Sequence, residues 1–245
     1  MKLSGNTILI TGGTSGIGRA FAEAFARLGN TVAICGRRQE RLDEITRQYP
    51  AITGVVCDLA NAKQREDLIR NVVAGFPALN VLVNNAGVQY AADLTRPIDV
   101  AAAREEIETN FVAPVHLSSL VAGHLKEQPA AAIINISSGL AFTPLVYTPI
   151  YSATKAALHS WTMSLRKQLE STTIKVYELA PPSVDTELGY QRRVDKSQSH
   201  GGMPPDEFVR EALKAIERDD FQAGIGPAAN MMRLRDDMFE QLNGR

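Results

Sequence analysis

Short apolar runs alternate with longer amphipathic segments from one end of the chain to the other. The runs are typical of buried strands, and they cover residues 7–11, 31–35, 55–59, 81–83, 132–136, 175–179 and 221–225. Between them, apolar residues recur at helical spacing, as residues 17, 21, 25 and 28 do. Strands that alternate with helices form a parallel sheet with helices on both faces. The pattern therefore predicts an α/β protein with a doubly wound, mainly parallel sheet of about seven strands.

The same pattern predicts helices over residues 39–49, 62–76, 101–128, 151–169, 204–217 and 228–242. The long segment 101–128 contains Asn110, which is locally unfavourable in a helix, and Pro114, which removes a backbone donor. We therefore predict a kink there that frees a carbonyl for a water molecule or a lysine ammonium. Residues 187–203 are polar and poorly periodic, and this composition predicts a mobile lid over a site.

Composition limits the size and the partners of the protein. A chain of 245 residues with 44% hydrophobic and 22% charged residues is long enough for one well-cored domain, expected to cover residues 1–245. A formal net charge of -1 offers no basic surface for nucleic acid or an anionic membrane, so we expect small-molecule partners. No apolar stretch reaches the ~18 residues that a membrane span needs. We expect a cytoplasmic protein.

Cysteine and histidine residues give no sign of a metal site. Cys35 and Cys57 are too few for a disulfide framework or a zinc site, and we expect both to be buried at strand ends. The four histidines show no ligand spacing. We therefore expect no protein-bound metal.

A glycine-rich turn follows the first predicted strand directly. Gly12, Gly16 and Gly18 stand between residues 7–11 and the first helical pattern, in the spacing Gly-x-x-x-Gly-x-Gly. Glycines at these positions permit a tight turn, a close backbone approach to a pyrophosphate, and close packing of helix on strand. The N-terminus of the helix would then face the phosphate. The alternative is that the glycines serve only the turn.

Two arginines follow the second predicted strand, where an NAD-binding fold of this kind carries an acidic residue for the ribose hydroxyls. Arg37 and Arg38 can instead form charge-assisted hydrogen bonds to a 2'-phosphate. The sequence therefore favours NADP(H), with NAD(H) as the weaker candidate. The alternative is that both arginines merely begin the charged helix at residues 39–49.

Polar residues also follow the third and fourth predicted strands. Asp58 is suitably placed to accept a hydrogen bond from an adenine amino group, or it caps the next helix. Residues 84–87, Asn-Asn-Ala-Gly, suit a turn that pins neighbouring strands and leaves room for a flat ring. An Asx-rich turn without further role is the alternative.

A hydroxyl, a phenol and an ammonium group stand at spacings suited to polarising a carbonyl. Tyr151 and Lys155 are four residues apart and share one face of a predicted helix, and Ser138 follows the fifth predicted strand. A nearby positive charge favours the phenolate form of tyrosine, and Lys155 can supply that charge. Taken alone, the pair is equally typical of a solvated helix face. The apolar loop at residues 139–150 predicts either a hydrophobic substrate wall or core.

Taken together, these motifs resemble the short-chain dehydrogenase/reductase family across nearly the whole chain. The resemblance rests on residues 11–18, residues 84–87, Asn110, Ser138, Tyr151 and Lys155. It implies a single Rossmann-type domain with a nicotinamide cofactor over the strand ends. It also implies a homodimer or homotetramer that forms through the two long helices carrying Asn110 and Tyr151.

The resemblance assigns a role to four residues. It makes Tyr151 the general acid/base, and it makes Lys155 the group that lowers the tyrosine pKa and holds the nicotinamide ribose. Ser138 binds the substrate oxygen, since the serine of the family precedes the tyrosine by thirteen positions, as Ser138 does. Asn110 supports a water leading to Lys155.

The resemblance also implies a set of cofactor-binding residues. Among them, Thr186 matches the position that contacts the nicotinamide amide or phosphate. The set is Gly12, Thr14, Ser15, Gly16, Ile17, Gly18, Arg37, Arg38, Asp58, Leu59, Asn85, Ala86, Gly87, Tyr151, Lys155, Pro181, Val184 and Thr186. One position departs from the family, which usually has Pro-Gly where this chain has Pro181 and Pro182, and the second proline stiffens the wall near the nicotinamide.

The sequence therefore predicts an NADP(H)-dependent carbonyl reductase or alcohol dehydrogenase. The substrate would be a small carbonyl compound or secondary alcohol, and Tyr151 would transfer the proton. A catalytically silent dinucleotide-binding regulator is the alternative. The retained Tyr151, Lys155, Ser138 and Asn110 argue against it, because a sensor needs none of the proton chemistry.

Overall fold

Seven strands form one parallel sheet in the computed structural model, which describes residues 1–188 and 201–244. The strands are β1 (Thr7–Thr11), β2 (Thr31–Gly36), β3 (Ile52–Val56), β4 (Leu79–Asn84), β5 (Ala131–Ile136), β6 (Ile174–Ala180) and β7 (Gln222–Gly224). Their order in the sheet is β3-β2-β1-β4-β5-β6-β7, and every neighbouring pair is parallel. The predicted doubly wound sheet is confirmed. The order reverses direction between β1 and β4, and in such sheets ligands bind outside the strand ends at this point.

Helices cover both faces of the sheet. They are α1 (Gly16–Arg27), α2 (Gln39–Gln48), α3 (Ala62–Gly75), α4 (Val100–Ile107), α5 (Ala113–Lys126), α6 (Pro149–Gln168), α7 (Pro205–Glu217), α8 (Pro227–Leu234) and α9 (Phe239–Asn243). Ile8 and Ile10 of β1 pack in one core with Phe21 of α1 and Phe208 of α7. Leu9, between them, packs on the opposite face in a second core with residues of α3 and α5. The alternation of side chains along each strand thus builds two hydrophobic cores.

A π-helical turn interrupts the long helix that we predict over residues 101–128. It covers Glu108–Val112 and separates α4 from α5 at the position of the predicted kink. Asn110 lies inside this turn and is fully buried, and Pro114 occupies the first turn of α5. Turns of this kind are frequently found at functional sites.

The prediction of a single terminal helix over residues 228–242 is wrong. Helix α8 ends at Leu234, where the next residue, Arg235, takes a positive φ of 50° and begins a short 3-10 turn. Contacts distant in sequence hold this break, since the Arg235 carbonyl accepts a hydrogen bond from the Thr143 hydroxyl. Asn243 of α9 likewise bonds the backbone of the loop at residues 144–146. Tertiary contacts therefore override the helical pattern.

The third strand also ends earlier than predicted, at Val56 instead of residue 59. Beyond it the chain turns at once towards α3, because the Asp58 amide donates to the side chain of Gln64. Asn61, and not Asp58, caps α3 by accepting from the Gln64 amide. The helix-capping alternative for Asp58 is therefore wrong. Cys35 and Cys57 are buried, as expected.

The predicted lid at residues 187–203 falls mostly outside the described part of the chain, since residues 189–200 are not described. Within residues 1–188 and 201–244, no helix is both long enough and apolar enough to cross a membrane.

Candidate active site

A groove of about 850 Å³ runs along the carboxyl ends of the strands. It brings together Gly12, Thr14, Ser15, Gly16, Ile17, Arg37, Arg38, Asp58, Leu59, Asn85, Ala86, Gly87, Ser138, Tyr151, Lys155, Pro181, Val184 and Thr186 from the predicted set. Two predicted residues, Gly18 and Asn110, do not line it. All the other predicted cofactor and catalytic residues therefore face one continuous space.

The glycine turn forms one end of this groove. Gly12 and Gly16 have positive φ angles of 64° and 53°, and residues with a side chain rarely adopt this backbone conformation. Gly18 lies beneath the turn, where an added Cβ would stand 2.3 Å from the Gly12 carbonyl oxygen. Helix α1 begins at Gly16 without an acidic residue in its first turn and without a side-chain cap from Ser15. Its N-terminus therefore suits a phosphate, and the turn fits a dinucleotide.

Hydrogen bonds pin the turn at residues 84–87 to two strands, β1 and β5. Asn84 Nδ2 donates to Asn135 Oδ1 of β5 at 2.9 Å. Asn85 Nδ2 donates to the carbonyl oxygen of Thr11 at 2.9 Å, and the Thr11 hydroxyl accepts from the amides of Asn85 and Ala86. The turn thus does more than reverse the chain, because it fixes the small residues Ala86 and Gly87 as a wall of the groove.

Arg37 and Arg38 precede α2 and stand outside it, at the end of β2. Each is exposed and paired with a carboxylate from another segment. Nη1 of Arg37 lies 3.0 Å from Glu105, and Nη1 of Arg38 lies 3.0 Å from Glu187. The two guanidinium groups therefore line the groove without an acidic residue of β2 beside them.

Ser138, Tyr151 and Lys155 lie together in the groove and are buried, with exposed fractions of 6%, 5% and 3%. Tyr151 and Lys155 project from the first turns of α6, and Ser138 follows β5. Lys155 Nζ donates to the Ile136 carbonyl oxygen at 2.9 Å and lies 5.6 Å from the centre of the Tyr151 ring. The alternative of a solvated helix face is therefore wrong.

Burial dominates the electrostatics of this cluster. It raises the pKa of Tyr151 to about 12, while a hydrogen bond with Ser138 lowers that pKa and the charge of Glu106 raises it. Burial also lowers the pKa of Lys155 to about 8. Perturbed titratable groups in a cleft are typical of a reactive site.

Asn110 lies outside the groove and binds the backbone of Val88, which lines it. Its Oδ1 accepts from the Val88 amide and its Nδ2 donates to the Val88 carbonyl, both at 2.8 Å. Nδ2 also donates to the Thr154 hydroxyl of α6 at 3.2 Å. A Cβ on Gly87 would lie 3.4 Å from Asn110 Oδ1 and 3.7 Å from Lys155 Nζ. Asn110 thus lies close to Lys155, with Gly87 between them.

Several residues of the site are absent from the sequence-based set. Glu106 is 1% exposed, its Oε1 accepts from the Tyr90 amide at 2.9 Å, and burial raises its pKa. Its spacing of four residues from Asn110 on a helix could have indicated it. Met231 and Leu242 line the apolar end of the groove, and no local pattern marks them. The apolar loop contributes to both predicted roles, since Leu140 and Leu145 line the groove whereas Phe142 is core.

Comparisons with known proteins agree with this architecture. The sequence profile of the short chain dehydrogenase family matches residues 6–197. The uncharacterized oxidoreductase DltE of Bacillus subtilis (strain 168) is 44% identical over 248 residues, which cover 99% of this chain and 98% of DltE.

Two solved structures show the same fold. A short chain dehydrogenase from Burkholderia cenocepacia J2315 in complex with NADP is 25% identical, with a TM-score of 0.85 and 99% of each chain covered. A short chain dehydrogenase/reductase from Burkholderia phymatum in complex with NAD is 23% identical, with a TM-score of 0.87 over 100% of this chain and 97% of that one. Because the profile and the DltE alignment span most of its length, the chain belongs to the short-chain dehydrogenase/reductase family, whose oxidoreductases act on CH–OH or C=O groups with NAD or NADP.

Proposed function

We propose that the protein, as one domain over residues 1–245, is an NADP(H)-dependent reductase of a small carbonyl compound, or a dehydrogenase of the matching secondary alcohol. The observation that carries this proposal is the buried cluster of Ser138, Tyr151 and Lys155, which faces the same groove as the glycine turn. A binding module would have no use for a phenol and an ammonium group held out of water at this point. Burial of both groups costs free energy that a functional site explains.

The hydride chemistry is supplied by the nicotinamide dinucleotide when it is bound. The turn with Gly12 and Gly16 and the wall with Asn85 would hold it. The residues of this chain then manage the proton. Ser138 donates a hydrogen bond to the carbonyl oxygen of the substrate, and Tyr151 gives its phenolic proton to that oxygen as the alcohol forms. In the reverse direction Tyr151 accepts the proton.

Lys155 controls how readily Tyr151 gives up its proton. A charged ammonium 5.6 Å from the ring centre favours the phenolate and makes the phenol a stronger acid. A Cβ on Gly87 would lie 3.4 Å from Asn110 Oδ1 and 3.7 Å from Lys155 Nζ, so the glycine leaves space between these two polar groups, and we place there the water that resupplies Lys155. The phenol of Tyr151 is protonated at neutral pH, because burial raises its pKa to about 12, and it can therefore act as the proton donor that carbonyl reduction needs.

Arg37 and Arg38 support NADP(H) over NAD(H). They line the groove at the end of β2, where a carboxylate would instead bind unphosphorylated ribose. The Burkholderia cenocepacia relative was solved with NADP. The exposed apolar residues Ile107, Leu120 and Met163 lie on the helices α4, α5 and α6, and they support a homodimer or homotetramer formed through these helices.

Replacing both Arg37 and Arg38 with alanine should weaken NADPH binding by about 10- to 100-fold, because a charge-assisted contact to phosphate contributes about 1.5–3 kcal/mol. The affinity for NADH should stay within about twofold, since NADH lacks the 2'-phosphate. Fluorescence titration with both dinucleotides measures the two affinities. Arg47→Ala, which removes a charge from the far end of α2, is the matched control. Equal affinity changes for both dinucleotides would sink the NADP(H) assignment.

The reductase itself is tested by following NADPH oxidation at several pH values with a panel of aldehydes, ketones and diketones. Turnover with any of them supports the proposal and begins to define the apolar end of the groove around Leu140, Met231 and Leu242. Tight NADPH binding without turnover over a wide panel would instead favour a dinucleotide sensor.

A further inference from the structure

Two arginines of the β2–α2 region share one carboxylate. Nη1 of Arg38 lies 3.0 Å from Oε2 of Glu187, and Nη2 of Arg41 lies 3.1 Å from Oε1. Both carboxylate oxygens therefore face a guanidinium group. Glu187 fills the position that an external anion would take between the two arginines.

Glu187 reaches this position from the opposite side of the groove. It follows Thr186, whose methyl carbon Cγ2 lies 2.9 Å from the point where Gly16 would carry a Cβ. The segment that leaves β6 thus crosses closely over the glycine turn and ends at Arg38. Glu187, Arg38 and Ser15 all line the groove, and Arg38 also reaches the Ser15 hydroxyl at 3.4 Å.

The stability of the fold does not explain why Arg38 and Arg41 share Glu187. The side chains of Arg38, Arg41 and Glu187 are 48%, 41% and 28% exposed, and exposed ion pairs contribute little to stability. These two ion pairs have a larger effect on the binding of a ligand with two negative charges. A phosphate dianion needs the N–H donors that Glu187 now uses.

We propose that Glu187 is a specificity-determining residue, which weakens the binding of a dinucleotide that carries a 2'-phosphate by competing with it for Arg38 and Arg41. This inference rests on the proposed function, in which Arg38 faces that phosphate, and it adds Arg41 as a second donor because Arg41 shares Glu187 with Arg38. A dinucleotide without the 2'-phosphate does not need these donors. Glu187 therefore brings the affinities for the two dinucleotides closer together than the arginines alone would.

Glu187→Gln tests the inference, because the amide keeps the size of the side chain and removes its charge. Fluorescence titration of the full chain should show NADPH bound about fivefold more tightly and NADH bound within about twofold of the parent. Glu217→Gln, an exposed change of the same charge on α7, controls for net charge and should alter neither affinity. Unchanged NADPH affinity, or an equal gain for both dinucleotides, would overturn the inference.

A second comparison identifies the partners through which Glu187 acts. In a chain that carries Arg38→Ala and Arg41→Ala, adding Glu187→Gln should no longer change the affinity for NADPH, because the competition needs the guanidinium groups. A gain that persists in this background would overturn the inference. The preference of the parent protein for NADPH or NADH tests the proposed function separately. The inference concerns only how Glu187→Gln changes the ratio of the two affinities.

Discussion

Lys155→Met is expected to abolish most of the activity and to leave the protein at least as stable at pH 7. Lys155 is 3% exposed, and burial lowers its pKa from 10.5 to about 8. A depression of this size corresponds to about 3 kcal/mol of unfavourable free energy for the charged form in the folded state. Methionine has a similar length and no charge, so it removes this cost. Loss of the bond from Nζ to the Ile136 carbonyl offsets about 1–3 kcal/mol of the gain.

The pH dependence of the free energy of unfolding separates the removal of the buried charge from other consequences of Lys155→Met. Below pH 8 the folded parent carries the full cost of the buried charge. Between pH 8 and 10.5 the folded state has released the proton of Lys155 while the unfolded chain still binds it, so stability rises with pH in this window. The advantage of the methionine variant should therefore shrink by about 3 kcal/mol from pH 7.5 to 10.5.

Urea unfolding of both proteins across this pH range measures the difference. Lys167→Met, on the same helix but 78% exposed, is the matched control, and its difference from the parent should not change between pH 8 and 10.5. A stability difference for Lys155→Met that is equally flat would contradict the buried charge. Retained turnover in the variant would contradict the role of Lys155. The expected combination, in which activity is lost without loss of stability, is typical of residues placed for function.

The sequence was sufficient for those parts of the site that depend on neighbours along the chain. The glycine turn was predicted because Gly12, Gly16 and Gly18 lie between a strand and a helix that are each recognisable locally. Lys155 and Tyr151 were predicted to share a face because a helix fixes their spacing. Parallel strands then carry these local pieces to one edge of the sheet, which is why separate motifs could be expected to meet there.

The hydrophobic pattern and the local motifs did not predict contacts between segments that are distant in sequence. Nothing around Glu187 indicates that it lies against Arg38 and Arg41, since these residues are separated by most of the sheet along the chain. Helix α8 ends at Leu234 because the loop near Thr143 binds the next residue, a contact that helical periodicity does not encode. Leu242 reaches the groove only because α9 folds back on that same loop. The apolar end of the groove thus depends on contacts that the sequence pattern does not encode.

Tyr151→Phe is expected to lower kcat/KM for carbonyl reduction by about 10²- to 10⁴-fold, the range that general acid catalysis contributes. Phenylalanine keeps the buried ring on α6 and removes only the proton donor, so the affinity for NADPH should stay within about twofold. The variant should unfold near the temperature of the parent, since the fold loses one hydrogen bond with Ser138.

The measurement is NADPH oxidation with the best carbonyl of the panel, together with an NADPH titration of the same preparation. Tyr49→Phe, which removes a phenol at the end of α2 away from the groove, should leave both values unchanged. If Tyr151→Phe keeps more than about a hundredth of the parent activity, another group must donate the proton, because a lost general acid costs at least about 10²-fold. Glu106 would then be the group to change next, since it is the buried carboxyl whose charge acts on Tyr151.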